Sequence, residues 1–296
     1  MQSSYARSTR RFSYALIAPV VGIMLLVIVF PVLDTARLSF FDATFIKPGL
    51  DAPFIGFKNY FSALNDKLFW RALWITVKWT TASIIFQFAL GFGLALLVNC
   101  KVRGAKVIRS LYLIPWMLPG ALAALMWKWM YHGSIGLLNY VLLQSGFSNE
   151  PIPWLSKPET VLWAAVLVNV WRGAPFFMIM LLGGLQTISH ELYESAQIDG
   201  ANFVQRFIHI TIPLLRPLIL TLFIYGTVGA FNFLDIVLVL TGGGPANHSL
   251  VLPLYAWRSA FFDMRIGYAA TISMLMCLVL GGFVLTAFRL KAATTS

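Results

Sequence analysis

The chain has 296 residues, of which 59% are hydrophobic and only 11% charged, with a mean hydropathy of +0.78. Charged residues make up about a quarter of a typical soluble domain, so too few are present here to cover a water-facing surface. The formal net charge of +11 does not point to nucleic acid, because the lysines and arginines sit at the ends of apolar runs rather than on one soluble domain.

Six apolar segments follow one another along the chain. They run over Ser13–Leu33, Ala72–Val98, Val107–Met130, Thr160–Leu185, Ile212–Leu240 and Ile266–Phe288. At about 1.5 Å per residue each is long enough to cross a bilayer. Only helices or closed barrels satisfy every backbone group in lipid, and these segments are continuous rather than alternating, which selects helices. The predicted fold class is therefore all-α, an integral membrane protein of six transmembrane helices forming a single transmembrane domain over residues 1–296. The first segment follows Arg7, Arg10 and Arg11. It is longer than the apolar region of a signal peptide, and no A-x-A pattern follows it, so it is expected to be retained as a span.

The short loops set the predicted orientation. The N-terminal region carries three basic residues and no acid, and the second-to-third connection carries Lys101, Arg103, Lys106 and Arg109. The C-terminal tail adds Arg289 and Lys291, whereas Lys157 between the third and fourth segments is offset by Glu150 and Glu159. The positive-inside rule then places both termini in the cytoplasm. The first external loop, 34–71, departs from the contrast with Lys47, Lys58, Lys67 and Arg71 beside Asp42, Asp51 and Asp66. Pro48, Gly49, Pro53, Trp154 and Pro158 in the two long external loops suit turns and short interfacial helices. Cys100 ends one apolar run and Cys277 lies inside another. Both read as small apolar residues, with neither disulfide nor zinc spacing.

The connection between the fourth and fifth segments, residues 189–213, is cytoplasmic by the same count. Ser189 is a candidate N-cap for a short helix with Leu192, Ala196 and Ile198 apolar, and Gly200 ends it. A second short stretch follows with Phe203, Phe207, Ile208 and Ile210, and Pro213 is expected in the first turn of the fifth segment. From composition alone this is either a helix–turn–helix lying on the membrane surface or a docking element for a soluble partner.

This loop resembles one carried by the permease subunits of binding-protein-dependent ABC importers. There the pattern is E-A-A, three residues, G, nine residues, I-x-L-P. Here it reads Glu194-Ser195-Ala196, three residues, Gly200, nine residues, Ile210-Thr211-Ile212-Pro213, with Ser195 and Ile212 as departures. Asp199-Gly200-Ala201 is similar to the form common in the carbohydrate branch. Asn169–Phe176, Leu185–Ile188, Thr241–Pro245, Gly267–Ala270 and Ile55–Tyr60 also resemble segments of maltose-permease-like subunits, so the likeness extends from about residue 55 to 290.

The resemblance implies the type I permease fold in a prokaryotic plasma (inner) membrane. It implies a heterodimer with a second homologous permease, two copies of an ATPase subunit and an extracytoplasmic solute-binding protein. Glu194, Ser195, Ala196, Asp199, Gly200, Ala201 and Arg206 would dock the ATPase. It implies no enzyme activity and no cofactor on this chain, with ATP and magnesium handled by the partner ATPase. Consistently, no G-x-x-x-x-G-K-[ST] motif is present. Thr241–Pro245 is glycine-rich but has no lysine.

Ionisable groups within membrane segments are costly and raise a functional hypothesis. Lys78 and Lys128 lie near external ends and can extend to the headgroups. Arg172 lies mid-segment, with Asn169 one turn before it and Gly173 and Pro175 after it. It is either half of an ion pair, with Asp235 as the candidate, or a substrate group. By the resemblance, Asn169, Gly173 and Phe176 match substrate contacts in maltose permeases, while Arg172 stands where those have an apolar residue. An arginine there can donate to sugar hydroxyls or pair with a carboxylate, sulfonate or phosphate. Gly226, Gly229 and Ala230 form a small-residue face, for helix packing or as a second cavity wall, with Asn232 and Phe233 as the adjacent polar and aromatic candidates.

Two other function classes were weighed. A stand-alone secondary transporter of small polar solutes would need paired internal charges and an internal repeat, and only Arg172 and Asp235 are internal charges. A membrane enzyme would need a catalytic constellation. His132, His190, His209 and His248 are scattered, and neither H-E-x-x-H nor G-x-S-x-G occurs.

Overall fold

The computed structural model describes Tyr14 and residues 16–47, 51–99 and 104–295. Arg7, Arg10, Arg11, Ser13, Pro48, Gly49, Cys100, Lys101 and Arg103, which enter the sequence reading, lie outside the described residues. The helices, in chain order, are α1 (Leu16–Leu38), α2 (Lys58–Asn65), α3 (Lys67–Asn99), α4 (Ala105–Met117) and α5 (Gly120–Met130). Then follow α6 (Leu137–Gln144), α7 (Pro158–Leu185), α8 (His190–Ile198), α9 (Phe203–Arg206) and α10 (Ile212–Phe231). The last three are α11 (Asp235–Leu240), α12 (Leu252–Phe261) and α13 (Ile266–Thr295). The β pairing among the described residues is a lone antiparallel bridge, Phe41 to Phe54.

Five helical runs are long and apolar enough to cross a membrane: α1, α3, α7, Phe203–Leu240 and the Ile266–Arg289 part of α13. The sixth predicted span is a pair of helices meeting at 98°. The sequence reading drew Val107–Met130 as one straight segment, and the structure corrects it. Pro115 removes one helical N–H, and Leu118, directly before Pro119, is held extended at ψ 133°. A residue before proline is driven out of the helical region by the ring, and the chain restarts at Gly120. The fifth segment is likewise broken, between Phe231 and Asp235.

Two turns widen into π-helix, Leu25–Val29 in α1 and Phe207–Thr211 between α9 and α10. In each, one N–H reaches back five residues, Phe30 to the Leu25 carbonyl and Ile212 to the Phe207 carbonyl. A proline follows at once in both, Pro31 and Pro213. A proline has no N–H for the carbonyl four residues back, and its ring collides with that carbonyl. The wider turn absorbs the mismatch. This corrects a second boundary: α9 is not a separate surface stretch but the start of the fifth span, while Pro213 lies in the first turn of α10, as expected, directly after the π turn.

The chain forms two compact units, one of residues up to Asp66 with Ala256–Leu278, the other of Lys67–Tyr255 with residues from Val279 onward. In the first, Asn59 donates to the carbonyls of Ser39 (3.2 Å) and Phe41 (3.1 Å), Thr271 donates to Ser39 O, and the Gly267 N–H donates to Ala43 O. A Cβ at Gly267 would collide with the Phe41 carbonyl, so only glycine fits there. The segments around Asn59 and Gly267, both of which resemble family patterns, thus meet. The side chains of α1 are exposed from Leu16 to Leu33 and half-buried from Asp34 to Leu38, and the exposed stretch suits a helix solvated by lipid.

The second unit is organised by α3 lying along α7. A Cβ at Gly91 would lie 2.6 Å from Phe177 Cβ and 2.8 Å from the Ala174 carbonyl oxygen. That closeness is the small-residue contact by which membrane helices pack. Below it lies a core of Phe92, Ala95, Met178, Leu181, Leu182, Leu185, Leu215 and Leu222. Outside the membrane segments, Asn139 organises the 131–157 loop. It donates to the carbonyls of Gly133 and Ile152 and accepts from the Ile152 N–H and Trp154 Nε1. Tyr131 is buried and donates to the Ala164 carbonyl, and burial pushes its phenol above the usual range, so it stays protonated.

Candidate functional site

The second unit encloses a cavity of about 280 Å³ between α3, the α4–α5 bend, α7 and the broken end of α10. Its lining residues are Gln87, Trp116, Asn169, Arg172, Gly173, Phe176, Phe177, Tyr225, Gly226, Gly229, Ala230 and Phe233. All the pathway residues expected from sequence are therefore brought to one wall, except Asn232. That residue is exposed and donates to the Val228 carbonyl of its own helix, 3.0 Å away.

The helix breaks make this site. Leu118, where α4 ends, has a carbonyl that no continuing helix occupies, and it accepts Arg172 Nε at 3.0 Å. Phe233, in the gap after α10, lies under the same guanidinium, 5.0 Å from its carbon to the ring centroid. Trp79 Nε1 satisfies the Ala230 carbonyl at the second break, at 2.9 Å. Irregular backbone within a bilayer is tolerated where protein or a water-filled cavity receives it. Of the two alternatives for Arg172, the ion pair with Asp235 is not formed. That carboxylate is exposed and acts on Arg172 only through space. The guanidinium is held instead by the carbonyl and the ring.

Asn169 is buried and structural. It donates to Ser83 Oγ (2.9 Å), and its carbonyl accepts from Gln87 Nε2 (2.9 Å), which ties α3 to α7. Gly173 is a packing glycine, since a Cβ there would collide with the Gln87 amide. Gly226 is also packed, its added Cβ meeting Ile84 and Phe177 at 2.8 Å each, whereas Gly229 borders open space. The small-residue face thus has both roles, packing at Gly226 and cavity wall at Gly229. Phe176 sits between Trp116 (5.9 Å between centroids) and Tyr225 (5.2 Å). Gln87, Trp116, Phe177 and Tyr225 were missed from sequence. Only Gln87 left a signal, as an amide isolated in an apolar run. Lys78 lies 5.3 Å from the Trp74 ring, and Lys128 reaches the Val239 carbonyl at 3.5 Å; both are exposed.

The second candidate site is the α8–α9 turn. Ser189 holds the N-cap position in extended conformation, but its side chain makes no capping bond. At the other end Gly200 takes φ +81°, the Ala201 N–H donates to Ala196 O (2.8 Å), and the Gly200 N–H donates to Gln197 O (3.1 Å). These paired bonds are the Schellman stop. Asn202 and Gln205 then form a reciprocal capping box that opens α9. Tyr193 bonds Thr211 at 2.9 Å, and Arg206 donates to the Gln197 side chain at 3.3 Å. A cleft of about 300 Å³ opens here, lined by Ala196, Asp199, Gly200, Ala201, Gln205, Arg206, His209 and Ile210. Of the residues expected to dock a partner, Glu194 and Ser195 lie on the exposed face of α8 instead, and Glu194 meets His190 at 3.2 Å. Around the cleft, Ile198 is 87% exposed and Phe203 65%.

Aromatic contacts connect the two sites. From Phe176 they pass to Phe177 (5.8 Å), Phe88 (6.5 Å), Phe92 (5.4 Å), Phe207 (5.4 Å) and Phe203 (6.4 Å).

Residues 87–291 match the model of the family described as binding-protein-dependent transport system inner membrane component. The chain is 38% identical over 264 residues to a trehalose/maltose transport system permease protein of Thermococcus litoralis, covering 88% of each chain. It is 37% identical over 267 residues to a sulfoquinovosyl glycerol transport system permease protein of Agrobacterium fabrum, covering 90% of this chain and 86% of that one. The fold matches a chain in the crystal structure of a bacterial ABC transporter that imports the acidic polysaccharide alginate, with a TM-score of 0.85, 22% identity and full coverage of both chains. With its apolar helical fold, a cavity between those helices and an exposed helix–turn element, the chain belongs to the binding-protein-dependent transport system inner membrane components and is a permease subunit of an ABC importer.

Proposed function

We propose that this permease forms one half of the translocation pathway for a sugar or sugar derivative and takes its energy from a separate ATPase. The observation that carries this is the pairing, in one compact unit, of an aromatic, amide-lined cavity with an exposed helix–turn cleft joined to it through packed rings. Sugars present C–H faces that stack on aromatic rings and hydroxyls that need partners, and Trp116, Phe176, Tyr225 and Gln87 supply both. The names of the Thermococcus and Agrobacterium relatives support the same substrate class.

The rest of the assembly follows from this reading. A second homologous permease completes the pathway, two ATPase subunits hold ATP and magnesium, and an extracytoplasmic binding protein delivers the solute. This chain itself hydrolyses nothing. Both termini and α8 lie in the cytoplasm, where exposed Ile198 and Phe203 and the cleft around Gly200 receive the ATPase. Glu194, Ser195, Ala196, Asp199, Ala201 and Arg206 frame that contact. The test is gentle solubilisation from native membrane, affinity isolation and mass spectrometry of what accompanies the chain. Recovery of a second six-span permease and a Walker-motif ATPase, with ATP hydrolysis stimulated by the binding protein, is expected. Recovery of the chain alone, with uptake driven by an ion gradient, would overturn the proposal in favour of a secondary transporter.

A further inference from the structure

Among the described residues, Arg172 is the one charged side chain in the cavity lining. Its Nε is committed to the Leu118 carbonyl and its planar face to the Phe233 ring. Its terminal nitrogens carry no hydrogen bond to the protein among the described residues. The anchoring contacts fix the guanidinium without neutralising it. Asp235, the acid that acts on it, is exposed, forms no ion pair with it and lies outside the lining. A cation held in a cavity walled by aromatic and small residues exerts a field less screened than in water, and the free edge of a guanidinium matches a planar or tetrahedral oxyanion with two parallel donors.

Resting on the importer reading above, we propose that the transported solute carries an anionic group, a carboxylate, sulfonate or phosphate, which the free edge of Arg172 receives. The aromatic wall from Trp116 to Tyr225 takes the uncharged remainder. Three features favour this over a neutral solute. Hydroxyl groups would be served by a neutral amide, and Gln87 already stands in the wall. Arg172 is pre-positioned by groups that leave its terminal nitrogens available. An arginine in the middle of an apolar membrane segment is costly unless a partner compensates it, and among the described residues no carboxylate lines the cavity.

The test reads the charge preference of the cavity directly. Gly229→Cys is introduced into the full chain after Cys100→Ala and Cys277→Ala, and the protein is placed in lipid nanodiscs with its co-purifying subunits. A side chain at position 229 meets no atom within 4 Å, so the thiol fits. Its reaction rates with anionic sulfonatoethyl, cationic trimethylammonioethyl and neutral hydroxyethyl methanethiosulfonate are measured, each divided by its rate with a free thiol in solution. The expected anion-to-cation preference is roughly tenfold, equivalent to about 1.4 kcal/mol. Arg172→Gln should abolish it and Arg172→Lys should keep much of it. An unchanged rate with the neutral reagent shows that the variant cavity is intact.

A preference near unity, a cationic preference, or a preference indifferent to Arg172→Gln would overturn the proposal. So would a thiol that reacts with none of the three reagents, because a solute could not then reach Arg172. The importer reading fails separately, through loss of binding-protein-stimulated ATP hydrolysis, and that measurement does not depend on the charge of the cavity.

Discussion

Gly200 offers the sharpest test of how the α8–α9 turn works. Its φ of +81° lies in the left-handed region, and a Cβ added there meets nothing within 4 Å. Any substitution therefore acts through the backbone and not through collision within this chain. Placing an L residue in that conformation costs about 1–2 kcal/mol, with β-branched residues at the high end. If the turn opens instead, the two Schellman bonds at Ala201 and Gly200 are lost, at about 0.5–1.5 kcal/mol each. By either route Gly200→Val should shift the turn equilibrium by about 2 kcal/mol, close to 30-fold. Gly200→Asn should shift it far less, because Asn enters the left-handed region readily. Two measurements on the reconstituted importer check this: amide hydrogen exchange over 196–206, and ATP hydrolysis stimulated by the binding protein. The expected result is faster exchange and weakened stimulation for Val, with Asn close to the parent in both. Equal losses for Val and Asn would show that the side chain, not the turn, matters. A Val variant unchanged in both would refute the argument.

Asn139→Ala removes four hydrogen bonds and strands the Ile152 N–H and Trp154 indole. It should loosen the 131–157 loop by about 3–5 kcal/mol, seen as faster limited proteolysis within that loop. Gly91→Ala presses a methyl group against backbone atoms of α7 2.8–2.9 Å away and should cost about 1–3 kcal/mol. Thermal unfolding in detergent should reveal this, with Gly93→Ala, whose added carbon meets open space, as the neutral comparison. Tyr193→Phe deletes the bond to the buried Thr211 hydroxyl and should cost about 1 kcal/mol, measured as several-fold faster amide exchange in α8.

The helical fold was legible because hydropathy alone separates lipid-facing runs from loops, and Gly200 was legible because a glycine at the end of a short apolar-faced stretch marks a helix stop. The bends were not. Val107–Met130 is apolar throughout, so hydropathy shows one segment, and only the Leu118–Pro119 pair carries the break. The cavity was legible by halves. Its α7 and α10 residues follow patterns local to each helix. Trp116 enters from α4, brought alongside in three dimensions, and no feature of its neighbours in sequence announces it; Tyr225 sits on α10 itself, directly before Gly226, and was passed over for the small residues beside it. Asn232 differs for a related reason: it reads from sequence as part of an unbroken segment Ile212–Leu240, but the helix stops at Phe231 and the amide folds back onto it. Of the two alternatives open for Arg172, the ion pair with Asp235 is not formed, because a freed carbonyl and an aromatic ring hold the guanidinium.

The π turn at Phe207–Thr211 has a consequence for how the fifth span should be read along its length. Reaching back five residues in place of four inserts one residue into the winding, and one residue corresponds to about 100° of rotation. The two ends of the span are therefore out of phase: a helical wheel drawn through Phe203–Phe231 puts α9 on the wrong side. At the start of the π turn the ring of Phe207 meets Phe92, and just before it Arg206 reaches Gln197 on α8. Deleting a single residue between Phe207 and Thr211 would leave the hydropathy of the span almost unchanged while turning its N-terminal end to face a different neighbour.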